Sequence, residues 1–239
     1  MNSASSPSSS ASEPATAVPA EASGPGESPG APSPAPAPRD TTRGRVVVLG
    51  NSIAAGYGLA SPRLAFPALL QARVDSAGWP FRVENAGVSG ETTAGGLARL
   101  DWLLQTPVDV LIVELGGNDG LRGVSPASTQ SNLMQIVTRT QARYPDARVV
   151  LAGMQIPPNL GGAYVRAFSE VFPTVARETG ATLIPFVLEG VGGIATLNQP
   201  DRIHPTAEGQ RIVAATVWRT LGPVLGEIRA DREGTPGGR

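Results

Sequence analysis

The sequence predicts an α/β fold, a three-layer α/β/α sandwich around a flavodoxin-like parallel sheet of five strands in the order 2-1-3-4-5. From Arg45 onward, short apolar runs alternate with longer amphipathic stretches, which is typical of strand–helix–strand units and a parallel sheet. The run Val110–Val113 is continuously apolar, as expected of a strand covered by helices on both faces. About five such strands favour the flavodoxin-like order, whose switch point lies beside the first strand.

The individual elements follow from these patterns in chain order. Strands are predicted at 45–49, 82–86, 109–115, 148–153 and 182–187. Helices are predicted at 63–77, 91–104, 127–144, 161–179 and 207–221. Pro62 and the pair Ser125-Pro126 suit helix starts, because proline is accepted in the first turn and serine caps free N–H groups. Gly180 suits the end of the fourth helix, where a left-handed residue often follows the last turn.

A single folded domain is predicted over residues 45–228. Residues 1–44 are almost entirely Ser, Ala, Pro, Gly, Glu and Thr, with no aromatic residue. They cannot bury enough apolar surface to offset the entropy of ordering them, so a disordered leader or tether is expected there and a disordered tail at 229–239. Such a leader resembles the spacer behind a processed signal or lipid-anchor site, which favours an extracytoplasmic location, with a cytoplasmic protein as the alternative.

The composition excludes several classes of function. The net charge is −1 and no basic patch is visible, so nucleic acid is not an expected partner. Cysteine is absent and His204 is the single histidine, which excludes disulfides and a Cys/His zinc site within one chain. No apolar run reaches the roughly 18–20 residues that span a bilayer. The expected protein is a monomer that acts on a small molecule and needs neither a metal nor an organic cofactor.

Candidate reactive residues follow the predicted strands. Ligands of open parallel sheets bind beyond the carboxyl ends of the strands, and Ser52 and Asn118 come directly after the first and third strands. The loop after the second strand contains Gly87 and Gly90, which can turn the backbone so that N–H groups point outward. Each feature has an ordinary alternative, because serine commonly caps a helix and glycine with asparagine is common turn material.

Asp201 and His204 form the last candidate group. At this spacing both can lie on one side of a single turn, where the carboxylate accepts the imidazole Nδ1–H and fixes the tautomer that a general base needs. The alternative is that His204 is only a surface or packing residue. Together, however, the segments supply a nucleophile, oxyanion donors, a base and an orienting carboxylate where the topology predicts a site.

At these residues the chain resembles the SGNH (GDSL) hydrolase family, especially its thioesterase I/lysophospholipase-like arylesterase branch. The resemblance runs from about residue 46 to about residue 225 and consists of ordered blocks rather than one motif. The blocks are Gly56–Leu59, Val88–Gly96, Glu114–Gly123, Met154–Asn159 and Asp201–Pro205. The family implies a serine esterase that works through an acyl-enzyme.

The resemblance assigns a role to each candidate. Ser52 would be the nucleophile, His204 the general base and then acid, and Asp201 its orienting carboxylate. The oxyanion hole would consist of the Ser52 N–H, the Gly90 N–H and the Asn118 side-chain amide.

One position departs from the family pattern. The family has Gly-Asp-Ser around the nucleophile, whereas this chain has Asn51 before Ser52. An asparagine accepts turn N–H groups without carrying charge. We expect the difference to alter turn stability or the pH optimum more than it removes activity.

The resemblance leaves the substrate open among short-to-medium acyl esters, aryl esters, acyl thioesters and lysophospholipids. Gly117, Leu121, Ile156 and Pro157 are expected to line an apolar wall for the acyl group; the alternative is that these loops pack on the core as a lid. A carbohydrate O-acetyl esterase is a second enzymatic possibility, because the same fold hosts it. A non-catalytic binding module on the same scaffold is the third possibility. In that case Asn51, in place of the family's aspartate, would be the first sign of lost activity.

Overall fold

The structure is a computed structural model that describes residues 43–234. Its sheet consists of five parallel strands in the order β2-β1-β3-β4-β5, which confirms the predicted fold class and strand order. The strands are β1 (Gly44–Gly50), β2 (Phe81–Gly87), β3 (Val110–Glu114), β4 (Arg148–Ala152) and β5 (Thr182–Ile184). The last strand ends three residues earlier than predicted, because Pro185 has no N–H to continue the ladder.

Helices cover the sheet. They are α1 (Ser52–Ala55), α2 (Phe66–Ser76), α3 (Thr93–Ala98), α4 (Leu100–Leu103), α5 (Gly117–Leu121), α6 (Pro126–Arg143), α7 (Gly162–Ser169), α8 (Val171–Thr179) and α9 (Ala207–Gly234), with 3₁₀ turns at Pro62–Leu64 and Pro158–Leu160. α2 packs against α9, and α6 packs against α3 and α8, so the helices form the two outer layers of the sandwich. Within residues 43–234, no helix is both long and apolar enough to cross a membrane.

The register of the central strands sets the position of the site. β3 is buried along its whole length, as its apolar run predicted. Gly50 at the end of β1 lies opposite Gly87 of β2 and opposite Glu114 of β3. Because three neighbouring strands end at one level, the residues that follow them emerge side by side at the same edge.

Two predicted helices are each divided in the structure, and two short helices were not predicted. The predicted helix 161–179 is α7 followed by α8, because Pro173 clashes with the carbonyl four residues before it and ends α7 at Ser169. The predicted helix 91–104 is α3 followed by α4, with a break in the backbone at Arg99. α1 and α5 have four and five residues, too few to show a helical period in the sequence.

The C-terminal boundary was predicted wrongly. α9 continues to Gly234, so the predicted helix end at 221 and the predicted tail at 229–239 are wrong for residues 229–234, which are helical. Pro223 lies inside α9 and would ordinarily break a helix, but tertiary packing overrides it. Val224, Leu225 and Ile228 are buried, and Arg232 pairs with Asp109 at the start of the sheet. Residues 235–239 lie outside the described part.

The N-terminal boundary lies slightly before the predicted one. β1 begins at Gly44 rather than 45. Arg43 donates hydrogen bonds to the Asp75 carboxylate (2.9 Å) and to the Phe81 carbonyl (2.6 Å), so both residues belong to the folded domain. Residues 1–42 of the predicted leader lie outside the described residues.

Gly87→Ala tests the close approach between β2 and the helix that carries Ser52. A Cβ at residue 87 would lie 2.4 Å from the Ala55 nitrogen and 2.9 Å from the Ala54 carbonyl carbon. The backbone must move to relieve this, and we expect urea unfolding to show a loss of about 1–3 kcal/mol. Gly226→Ala is the control, because it meets no heavy atom within 4 Å in α9 and should stabilise by up to about 1 kcal/mol. Equal effects of the two substitutions would contradict the packing argument.

Candidate active site

Three side chains that are far apart in the sequence meet at the carboxyl edge of the sheet. Ser52 is the first residue of α1, directly after β1. Its Oγ lies 2.8 Å from Nε2 of His204, and Nδ1 of His204 lies 2.6 Å from Oδ2 of Asp201. These distances are those of hydrogen bonds. The structure therefore brings hydroxyl, imidazole and carboxylate into one hydrogen-bonded series.

The turn between Asp201 and His204 is organised by the carboxylate itself. Oδ1 of Asp201 accepts hydrogen bonds from the Ile203 N–H (2.9 Å) and the His204 N–H (3.0 Å). Arg202 takes a positive φ of 60°, which the tight turn requires. The Gln199 N–H donates to the His204 carbonyl at 2.8 Å. The backbone thus fixes His204 from both sides.

Hydrogen bonding keeps Asp201 ionised. The side-chain hydrogen bond from His204 is the main cause, and a backbone hydrogen bond from His204 adds to it; together they lower the pKa of Asp201 from 3.8 to about 2. An ionised carboxylate at Nδ1 places the imidazole proton on that nitrogen. Nε2 is then left as the acceptor that faces the Ser52 hydroxyl.

The turn around Ser52 uses its N–H groups in a defined way. The Asn51 side chain caps α1 by accepting from the Ile53 N–H at 2.9 Å. The Ala54 N–H donates to Glu114 at 3.2 Å, and the Ala55 N–H donates to the Asn51 carbonyl at 2.9 Å. Among the described residues, no hydrogen bond occupies the N–H of Ser52. That group is free to bind an anion at a helix start.

Glu114, for which no role was predicted from the sequence, supports this turn through hydrogen bonds. It has no exposed surface, and its Oε2 accepts from the Asn51 N–H (3.1 Å) as well as from Ala54. Burial raises the pKa of Glu114 from 4.5 to about 8, against the opposing effect of its hydrogen bonds to Asn51 and Ala54. The sequence did contain one indication, because Glu114 is an acidic residue at the end of a fully apolar strand. Acidic side chains are almost never fully buried unless they are paired.

The two other predicted oxyanion donors lie on the loops after β2 and β3. Gly90 adopts a φ of 78°, a left-handed conformation that turns the backbone, and its N–H has no acceptor within the described part of the chain. Asn118 donates one side-chain N–H to the Glu91 carbonyl at 3.0 Å. This bond orients the amide, and since an NH₂ group has two hydrogens, one stays available.

Buried polar pairs hold these two loops together. Glu91 forms an ion pair with Arg99, whose guanidinium also donates to the Ala86 carbonyl. Asp119, buried next to Asn118, accepts from both the N–H and the hydroxyl of Thr93. A hydrogen-bonded and buried support of this kind fixes the side chains above it.

The predicted substrate wall is divided by the structure. Leu121 and Pro157 are exposed, and Gly117 is half-buried at the start of α5. Ile156 is only 8% exposed and packs into the hydrophobic core. A Cβ on Gly120 would lie 2.2 Å from Cγ2 of Ile156. Ile156 therefore matches the alternative of core packing, and it supports the α5 loop from beneath.

An exposed apolar rim was not predicted. Tyr57 stacks obliquely against His204, with ring centroids 4.7 Å apart. Three apolar side chains are about half exposed: Tyr57 after β1, Val88 after β2, and Ile203 within the turn between Asp201 and His204. Exposed apolar side chains beside a polar site provide a surface for an apolar ligand. In the described residues, no group of three or more His, Asp or Glu side chains could hold a metal ion.

Comparison with known proteins identifies the family of this chain. Residues 48–212 match the model of the GDSL-like lipase/acylhydrolase family. The chain belongs to this family. It is 47% identical over 181 residues to esterase TesA of Pseudomonas aeruginosa, covering 75% of this chain and 89% of that protein.

Two further comparisons extend the similarity. The chain is 39% identical to thioesterase 1/protease 1/lysophospholipase L1 of Escherichia coli strain K12, covering 75% of this chain and 84% of that protein. A solved crystal structure of TesA superposes with a TM-score of 0.72 at 45% identity, covering 75% of this chain and 99% of that one. The predicted resemblance is thereby confirmed at the level of family and fold.

The acid–base pair makes a prediction about titration. In the wild-type protein, NMR should show the Asp201 carboxylate ionised down to about pH 2, and in His204→Ala its pKa should rise towards 3.8. The reason is that the substitution removes the side-chain hydrogen bond that favours the charged form. Ser76→Ala, which changes an exposed serine at the end of α2, is the control and should leave the Asp201 titration unchanged. An unchanged Asp201 titration would contradict the assigned cause.

Proposed function

We propose that this protein is a serine esterase that hydrolyses small-molecule carboxylic esters through an acyl-enzyme. The observation that carries the proposal is the hydrogen-bonded series Ser52–His204–Asp201 at 2.8 and 2.6 Å. Membership of the acylhydrolase family supports it, as do similar proteins named esterase and thioesterase. Acting on a small ester, the protein needs no nucleic-acid partner. A monomeric state and an extracytoplasmic location stay predictions.

The first half of the reaction acylates the serine. Oγ of Ser52 attacks the ester carbonyl carbon while Nε2 of His204 takes the hydroxyl proton. The ionised Asp201 stabilises the imidazolium that forms. When the tetrahedral intermediate collapses, the bond to the alcohol breaks and His204 returns the proton to the leaving oxygen. The acyl group is then esterified to Ser52.

The second half repeats the sequence with water. His204 takes a proton from water as the water oxygen attacks the acyl carbonyl, and the proton passes to Oγ as the ester bond to Ser52 breaks. In both halves, negative charge develops on the carbonyl oxygen. The Ser52 N–H, the Gly90 N–H and the second hydrogen of the Asn118 amide are the donors that we assign to it.

The rim around the site favours an apolar acyl or aryl group. Tyr57 and Ile203 expose apolar surface beside His204. Val88 does so on the loop after β2, and Leu121 at the end of α5. Together with the names of the similar proteins, this supports aryl esters, short-to-medium acyl esters, acyl thioesters or lysophospholipids as substrates. The acyl chain is proposed to lie across Leu121 and Pro157, with Gly117 leaving space beside the nucleophile.

Removal of the nucleophile is the direct test of the proposal. Ser52→Ala should lose all measurable hydrolysis across a series of p-nitrophenyl esters from acetate upward, because no acyl-enzyme can form. Ser76→Ala, which changes an exposed serine at the end of α2, is the control and should keep wild-type activity. Hydrolysis retained by Ser52→Ala would defeat the proposal. Wild-type activity confined to acetate would favour a carbohydrate O-acetyl esterase, and no activity at all would favour a binding module.

Removal of one oxyanion donor should slow the reaction without unfolding the protein. We expect Asn118→Ala to lower kcat by about 10²–10³-fold, with a smaller effect on KM, since the amide acts mainly on charge that develops in the transition state. Asn159→Ala changes an exposed asparagine in the 3₁₀ turn after β4 and should leave kcat unchanged. A folded Asn118→Ala enzyme with wild-type kcat would remove this residue from the oxyanion hole.

A further inference from the structure

Glu114 is the buried acid that the reaction does not use. It ends β3 directly beneath the nucleophile turn, with no solvent-exposed surface. Its Oε2 accepts two backbone hydrogen bonds, but its Oε1 is buried without any partner in the described residues. Buried polar atoms are almost always paired, so an orphaned carboxyl oxygen requires an explanation.

A neutral carboxylic acid fits this environment better than a carboxylate does. A buried carboxylate needs a cation or several donors to offset its loss of hydration, and Glu114 has only the N–H groups of Asn51 and Ala54 and a contribution from the Asn51 side chain. No arginine pairs with it in the described residues. The raised pKa of about 8 agrees with a proton that is retained at neutral pH.

We propose that Glu114 is a positioning residue that holds the nucleophile turn in its neutral form, and that its ionisation, tuned by Asn51, sets the alkaline limit of catalysis. The inference rests on the proposed esterase function and deepens it. Oε2 accepts from the N–H of Asn51, just before Ser52, and from the N–H of Ala54, two residues after it. These bonds thereby fix the direction of the Ser52 N–H. The carboxyl acts through the turn and touches no substrate.

Ionisation of Glu114 opposes the reaction for an electrostatic reason. Its carboxyl lies under the same turn that presents the Ser52 N–H, and the reaction places negative charge on the other side of that turn. A second negative charge in a buried, weakly screened position repels the developing oxyanion. We therefore expect kcat to fall by about tenfold or more as Glu114 loses its proton.

No other charged group accounts for the shift of Glu114. α1 has no charged side chain. On the surrounding elements, Asp119 is bound to Thr93, Glu91 is paired with Arg99, and the Asp201–His204 pair lies beyond Ser52. The raised pKa arises from burial, and all of the opposing causes are hydrogen bonds from Asn51 and Ala54. Ionisation of Glu114 is thus governed by its own contacts.

Asn51 affects the pH at which Glu114 ionises, and therefore the alkaline limit of catalysis. Its side chain caps α1 and also contributes a hydrogen bond that lowers the pKa of Glu114. A carboxylate at this position would put a second negative charge beside Glu114 and raise the pKa of that group further. The asparagine therefore allows Glu114 to ionise at a lower pH than an aspartate would.

The test compares pH profiles of kcat, measured with a p-nitrophenyl ester at the isosbestic wavelength of p-nitrophenol. The wild-type profile should fall with an apparent pKa of about 8. Glu114→Gln reproduces the shape and hydrogen bonding of the neutral acid, so it should rescue most of the neutral-pH activity and lack this alkaline fall. Glu114→Met, which offers no acceptor to the turn, should lose at least about tenfold at every pH. An alkaline fall that persists in Glu114→Gln would overturn the proposal.

Asn51→Asp is the matched variant that moves the limit instead of removing it. Aspartate keeps the helix cap, and the alkaline fall should shift upward by roughly one pH unit. A downward shift, or a profile identical to that of the wild type, would contradict the assigned coupling.

A spectroscopic titration separates this proposal from the proposed function. In wild-type protein, the infrared difference spectrum between mildly acidic and alkaline solution should contain the band of one buried carboxylic acid, which disappears around pH 8 and is absent from Glu114→Gln. The same band with no esterase activity would defeat the function while leaving the neutral acid established. Esterase activity without that band would overturn the role of Glu114 alone.

Discussion

The site depends on one constraint, which is that three neighbouring strands of the sheet end at the same level. Gly50 lies opposite both Gly87 and Glu114, so the loops after β1, β2 and β3 leave the sheet together. The lack of a side chain at Gly87 lets α1 approach β2 closely, since a Cβ there would meet the backbone of that helix. A parallel sheet supplies this alignment through its hydrogen-bond register, which brings the loops of Ser52, Gly90 and Asn118 to one edge.

The predictable part of the site consists of residues whose role follows from chain position. Ser52 and Asn118 follow strands, and parallel strands carry such residues to one edge whatever the details of the packing. Asp201 and His204 could be paired from their spacing, because one turn suffices to bring carboxylate and imidazole together. The family resemblance then added roles to residues such as Gly90, whose contribution is a backbone N–H that leaves almost no trace in a sequence.

The unpredicted features depend on tertiary packing. Ile156 was expected to line the acyl site, yet its loop position says nothing about whether it faces outward or packs under Gly120. The helix α9 passes through Pro223 because buried residues beyond it stabilise its last turns. Glu114 was missed because its role is to accept hydrogen bonds from the N–H groups of the turn around Ser52. Such a requirement is visible only when the hydrogen bonds of that turn are counted.

Glu114 and Asp201 also make the stability of the fold depend on pH, in opposite directions. An unfolded chain ionises Glu114 near 4.5, whereas the native state holds its proton up to about 8. The stabilisation from this group is therefore complete below about pH 4.5 and is lost progressively as the pH rises from there to about 8. Asp201 behaves in the opposite sense, since its contribution exists above about pH 4 and fades as acid approaches pH 2. The two carboxyls together place the most stable native state in mildly acidic solution. The same buried acid that holds the nucleophile turn thus makes the folded protein less stable in alkaline than in mildly acidic solution.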